Sequence, residues 1–177
     1  GTEQGGHHEH DPDLGKEGWR FGTVPKPGEP GSETWKGDEI NHPGSTTWFT
    51  GSYDPELQTV YWQTGNPGND LNGDRRLGDN LYSCSIVALD AKSGQLKWYF
   101  QFTPHGVWDW DATDPAALID TTWEGQPRKL LLQANRNGFF SVLDRTNGKC
   151  LLGRQYTKKL TWATGRTPEG RPIVAPG

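Results

Sequence analysis

Ser85-Ile86-Val87-Ala88-Leu89-Asp90-Ala91-Lys92-Ser93-Gly94-Gln95-Leu96-Lys97-Trp98-Tyr99-Phe100 reads as two strands joined by a tight turn. Ser85 to Leu89 is apolar and partly β-branched, which suits a buried strand. Asp90 can accept hydrogen bonds from N–H groups just downstream, and Gly94 can take positive φ where the loop closes. The returning strand carries Trp98, a broad flat surface able to fill the gap between neighbouring sheets. The same writing recurs in Asp11-x-x-x-Gly15-Lys16-x-x-Trp19 and in Val142-x-Asp144-x-x-Asn147-Gly148-Lys149, the latter with Leu152 where the Trp should stand. One such hairpin is ordinary in any all-β protein. Three, each entering or leaving an apolar strand, predict a β-propeller. The uneven spacing of Gly15, Gly94 and Gly148 fits blades with long insertions rather than a compact solenoid.

Composition agrees with an all-β chain. Of 177 residues only 31% are hydrophobic, a low share for a self-sufficient core, while 24 Gly and 13 Pro make the chain rich in loops. Helical periodicity is hard to find, and no apolar run approaches the length of a membrane span. A net charge of −4 gives no reason to expect a nucleic-acid partner. With no Met, not even a first one, the chain is expected to be processed or internal. Cys84 and Cys150 are expected as free buried thiols rather than a disulfide.

Residues 1–10 carry no apolar side chain able to hold them to a core, and are expected to be irregular and polar, ahead of a propeller portion over 11–177. His7, His8, Glu9 and His10 could bind a metal adventitiously, but a solvated tail is the simpler reading. Residues 22–44, dense in Pro and Gly, read as a long surface loop, and 66–80 as a second. Strands are expected at 46–51, 58–64, 83–90, 95–102, 129–134, 138–143 and 149–156. Long loops on a rigid sheet scaffold are where function concentrates.

Within Thr103-Pro104-His105-Gly106-Val107-Trp108-Asp109-Trp110-Asp111, two carboxylates stand two residues apart. If the segment is extended, both point to one side and can share a hard cation, with Trp108 and Trp110 turned the other way into packing. Asn66 could add an amide oxygen. By spacing alone, two ordinary loop acids fit equally well. Asp70-x-Asn72-x-Asp74 begins like a calcium loop, but Arg75 stands where Gly is needed and Leu81 where Glu should close the sphere, so it reads as a polar turn.

Several linked motifs go further. Gly44-Ser45-Thr46-Thr47-Trp48 with Ser52-Tyr53-Asp54-Pro55, Tyr61-Trp62-Gln63-Thr64-Gly65-Asn66-Pro67-Gly68, Gly78-Asp79-Asn80-Leu81-Tyr82, the 102–111 stretch, and Asn135-Arg136-Asn137-Gly138-Phe139-Phe140 running into Val142-Leu143-Asp144 resemble the quinoprotein alcohol dehydrogenases. Order and spacing match from about residue 11 to the end. The resemblance implies an eight-bladed propeller whose repeated turns are tryptophan-docking motifs, and pyrroloquinoline quinone as cofactor. It implies that Trp48 stacks on the quinone, that Thr46 bonds its carboxylates, and that Arg136 bonds its oxygens. It implies Asn66 and Asp109 as metal ligands, with Asp109 also the general base. Asp111 stands where calcium-dependent members usually carry a small neutral residue and lanthanide-dependent members a second Asp. A trivalent ion gains more from that added charge than Ca²⁺ does, so a lanthanide(III) is expected ahead of Ca²⁺.

The family often has Asp at the position of Gly106, and many members carry a vicinal disulfide, whereas no adjacent cysteine pair occurs here. The family's glutamate ligand falls at or just before residue 1. By resemblance the enzyme oxidises a primary alcohol, passes electrons to a cytochrome c and works in the periplasm. A sugar- or polyol-oxidising quinoprotein and a noncatalytic propeller scaffold are the alternatives. Three docking turns cover about three to four blades, too few for a closed ring, so a partial propeller with open strand edges, unstable or self-associating in isolation, is expected.

Overall fold

The protein is described by a computed structural model over residues 6–10 and 17–176, with side chains from residue 17 onward. Twelve strands follow one another among these residues: β1 Gly6–His10, β2 Glu17–Gly22, β3 Ser52–Asp54, β4 Thr59–Gln63, β5 Ser85–Asp90, β6 Leu96–Gln101, β7 Ala117–Trp123, β8 Gln126–Ala134, β9 Phe139–Asp144, β10 Cys150–Gln155, β11 Ala163–Arg166 and β12 Pro172–Val174. Two four-stranded antiparallel meanders, β3-β4-β5-β6 and β7-β8-β9-β10, are complete blades, and β1-β2 and β11-β12 are two-stranded sheets. This is an arc of a β-propeller.

The reason lies in β5, which is buried on both faces. Ile86 and Ala88 face a core shared with Tyr61, Phe100, Phe102, Leu131 and Leu143, and this joins the two blades. Val87 and Leu89 face the other way, with Leu81 and Tyr82, against Trp19, Phe21, Trp62 and Leu96. Alternation at period two lets one strand glue both neighbours.

The turns behave as their sequences require. Asp90 Oδ1 accepts the N–H groups of Lys92 (3.1 Å) and Ser93 (2.9 Å), and Gly94, at φ 69°, returns its N–H to Asp90 O at 2.8 Å. Asp144 and Gly148 repeat this, with φ 78° at the glycine. Each tryptophan docks on the turn of the next sheet rather than its own. Trp19 Nε1 donates to Ala91 O at 3.0 Å and its ring covers Gly94, while Trp98 Nε1 donates to Arg145 O at 3.1 Å and covers Gly148. A Cβ on either glycine would stand 2.4 Å or 2.6 Å from the indole, so the turn needs Gly for packing as well as for φ. The turn at Asp11–Gly15 lies outside the described residues.

Several expectations need correction. Gly6–His10 is a strand, because main-chain pairing with β2 needs no apolar side chains of its own; the metal-binding reading of its histidines lies outside the described side chains. Residues 46–51 are not a strand, and the pairing begins at Ser52 instead. Three strands lie outside the expected set: β7, a mostly exposed edge strand with no apolar alternation, and short β11 and β12. The 22–44 segment is more than a surface loop. It contains 3-10 turns at Ser32–Thr34 and Glu39–Asn41, and buried Trp35 donates to Leu81 O at 2.5 Å. Cys84 and Cys150 are free, the first buried and the second half-buried.

Candidate metal and cofactor site

Of the expected site residues, Trp48, Asn66, Asp111 and Arg136 gather around Gly65, with the Thr46 carbonyl beside them. Gly44, at φ 66°, lets the 44–48 segment run beside 64–67, where Ser45 N–H donates to Asn66 O and Gly65 N–H to Thr46 O, both at 2.8 Å. A Cβ on Gly65 would lie 2.6 Å from Asp111 Oδ1 and 3.1 Å from Trp48 Nε1. The missing side chain therefore lets the indole edge and the carboxylate approach one another across the backbone. Trp48 itself is 66% exposed, a large flat apolar face presented to solvent beside charged groups.

Asp111 is buried and held from two sides. Asn66 N–H donates to its Oδ1 at 3.0 Å and Arg136 Nη1 to its Oδ2 at 3.2 Å. Burial pushes its carboxyl above the usual range, and the negative charges of Asp109 and Asp70 push the same way, against the Asn66 N–H and Arg136. A cation among these oxygens would reverse that balance. Asp109 is exposed and sits at φ 53°, so 109–111 is not extended as the alternation argument assumed. Trp108 and Trp110 nonetheless stack together, centroids 4.9 Å apart at 17°, and both pack on Trp162.

Arg136 rides on a turn fixed to the same loop. Asn137 Nδ2 donates to Phe102 O (3.0 Å) and Thr103 Oγ1 (3.1 Å), and Trp162 Nε1 donates to Asn137 O at 2.8 Å. The Arg136 side chain is half exposed. Apart from the contact with Asp111, its N–H groups meet no acceptor among the described residues. Asn66 Nδ2 donates to Asp70 Oδ1 (2.6 Å) and Pro67 O (3.0 Å), so its Oδ1 remains open. The Thr46 side chain is exposed and takes part only through its carbonyl.

Sequence reasoning missed Arg76, which is 1% exposed. It donates to Gly68 O (2.9 Å), Asn80 Oδ1 (2.9 Å), Gly106 O (2.8 Å) and Asn69 O (3.3 Å). It thereby clamps the loop after Asn66 to the loop before Asp109. Nothing in the polar 66–80 stretch marks it out beforehand. Among the described residues no three His, Cys, Asp or Glu side chains group as a metal cage. Asn66 Oδ1 and the Asp111 carboxylate are oxygen donors, the kind hard cations take, while Asp109, exposed and left-handed, makes no hydrogen bond to either among the described residues. An exposed indole face, a half-free guanidinium and this donor set together fit a flat, anionic, metal-chelating cofactor.

Comparison with known proteins bears on this arrangement. The family described as PQQ, glucose/ethanol/alcohol dehydrogenase, β-propeller domain, matches residues 2–158. Quinohemoprotein alcohol dehydrogenase ADH IIB of Pseudomonas putida is 43% identical over 95% of this chain and 26% of its own length. Quinoprotein alcohol dehydrogenase PedH, also of Pseudomonas putida, is 46% identical over 82% of this chain and 24% of its own. A solved europium-containing methanol dehydrogenase superposes with a TM-score of 0.88 at 31% identity, covering 95% of this chain and 32% of that one. The chain spans about a quarter of the length of the curated relatives it matches.

Proposed function

Since the chain belongs to the PQQ glucose/ethanol/alcohol dehydrogenase β-propeller family, we propose that it carries metal and quinone contacts of an enzyme oxidising a primary alcohol to an aldehyde. The observation that carries this is the meeting of Trp48, Asn66, Asp111 and Arg136 around Gly65. When bound, pyrroloquinoline quinone supplies an electrophilic carbonyl that accepts hydride from the alcohol carbon, polarised by the cation.

The chain's own residues do the rest. Trp48 offers the stacking face, which fixes a flat ring without touching its reactive oxygens. Arg136 donates to the ring oxygens and offsets negative charge there, and Thr46 bonds a peripheral carboxylate. Asn66, Asp109 and Asp111 hold the cation. Asp109, exposed and without a hydrogen-bond partner among the described residues, accepts the alcohol's hydroxyl proton on a carboxylate oxygen. Burial and the paired position of Asp111 favour a trivalent lanthanide over Ca²⁺, since the second carboxylate adds more attraction for the higher charge. A cytochrome c-type electron acceptor and a periplasmic location complete the reading. No helix among the described residues is long and apolar enough to cross a membrane.

The test is reconstitution of the full-length protein with the quinone and either La³⁺ or Ca²⁺, followed by ethanol-dependent dye reduction. Activity with La³⁺ supports the reading. Activity with Ca²⁺ alone overturns the lanthanide assignment, and none with either metal overturns the enzyme assignment.

A further inference from the structure

A primary amide can present either its oxygen or its NH2 group, and only the oxygen binds a cation. At Asn66 the hydrogen-bond partners of the amide decide between them. Its Nδ2 donates to Asp70 Oδ1 at 2.6 Å and to Pro67 O at 3.0 Å, so both amide hydrogens are engaged. A carboxylate accepts but cannot donate, so this partner excludes the flipped amide, in which oxygen would face oxygen. The Pro67 carbonyl comes from the adjacent residue and follows any local movement, whereas Asp70 stands four residues on. Arg76 fixes the intervening backbone through Gly68 O and Asn69 O. The backbone that leads to Asp70 is therefore held independently of the amide that its carboxylate orients.

We infer that Asp70 is a positioning residue of the metal site, locking the Asn66 amide with its oxygen toward the cation. This rests on the reading of Asn66 as a ligand. Asp70 touches neither the cation nor the quinone in this assignment. It acts through Asn66 alone, as partners of metal ligands commonly do. It also gives a role to the start of the Asp70-x-Asn72-x-Asp74 stretch that its failure as a calcium loop left without one.

The experiment is titration of the quinone-free full-length protein with Tb³⁺, following tryptophan-sensitised Tb³⁺ luminescence. Asp70→Ala is expected to raise the Tb³⁺ Kd roughly tenfold or more. Asp70→Asn, whose side-chain oxygen still accepts the Asn66 N–H, is expected to stay within about threefold of wild type. Because Asp70 is exposed, both variants should melt as wild type does. In an Asn66→Ala background, Asp70→Ala should have no further effect, which a general charge or folding role would not produce. The inference is overturned if Asp70→Ala binds Tb³⁺ as wild type does, if Asp70→Asn is as weak as Asp70→Ala, or if the two losses add. Unchanged binding by Asn66→Ala alone overturns the ligand reading itself, a separate result from any seen at Asp70.

Discussion

Replacing Arg76 by Met tests whether one buried guanidinium holds the two ligand loops together. Methionine keeps much of the apolar stem but leaves Gly68 O, Gly106 O and Asn80 Oδ1 without the donors now at 2.8–2.9 Å. Each buried acceptor left unsatisfied costs about 1–3 kcal/mol. Against this, the guanidinium has no carboxylate in hydrogen-bond contact, and its burial disfavours the charged form, so removing it recovers part of the desolvation cost. The balance is a net loss on the order of 3 kcal/mol, equivalent to about a 150-fold change in an opening equilibrium. Native-state hydrogen exchange of the full-length protein reads this locally. Amides that tie the loops, Gly68 to Pro43 O, Ser45 to Asn66 O and His105 to Asp79 O, should lose about two orders of magnitude of protection. Amides in β9, on the far blade, should change little. Protection of the loop amides within about threefold of wild type would refute the clamp.

Gly148→Val forces a β-branched residue to φ 78° with its Cβ 2.6 Å from the Trp98 ring, and should lower the melting temperature and alter tryptophan fluorescence; an unchanged melt would contradict inter-blade docking. Asp54→Ala removes the 2.7 Å partner of the buried Arg145, which keeps its pairing with the more exposed Asp120, and should destabilise by about 1.5–3 kcal/mol in urea unfolding. Burial alone would raise the Asp54 carboxyl, but the Leu57 and Glu56 N–H groups and Arg145 outweigh it and hold it below the ordinary 3.8. Its stabilisation is therefore complete above that value and lost as pH falls through the lower folded value, so Asp54→Asn should remove part of the acid-unfolding slope; an identical slope would contradict this. Trp48→Ala, at a position 66% exposed, should leave stability within about 0.5 kcal/mol while weakening quinone binding roughly tenfold, and equal loss of both would count against a stacking role.

What the sequence disclosed was mainly local. The Asp90–Gly94 and Asp144–Gly148 turns are legible because the bonds that make them lie within a few residues. That Trp19 docks on the turn at Ala91, and Trp98 on the turn at Arg145, is long-range and left no mark beyond the repeat itself. β7 was invisible because an exposed edge strand need not alternate. The site residues came to notice through linked motifs rather than spacing, and spacing misled at Asp109, whose left-handed backbone breaks the extended geometry. Arg76 and Asp70 were hidden for another reason: their partners are mostly carbonyls and an amide, which a sequence does not display.

In the proposed function, Trp48, Arg136, Asn66, Asp109 and Asp111 form one site for quinone and metal together. Calorimetric titration of the full-length apo-protein with pyrroloquinoline quinone, with and without La³⁺, tests it most directly. La³⁺ is expected to tighten quinone binding roughly tenfold or more, and Asp111→Ala to abolish the enhancement. Quinone binding of equal strength with and without the metal, or an enhancement that survives Asp111→Ala, would contradict it.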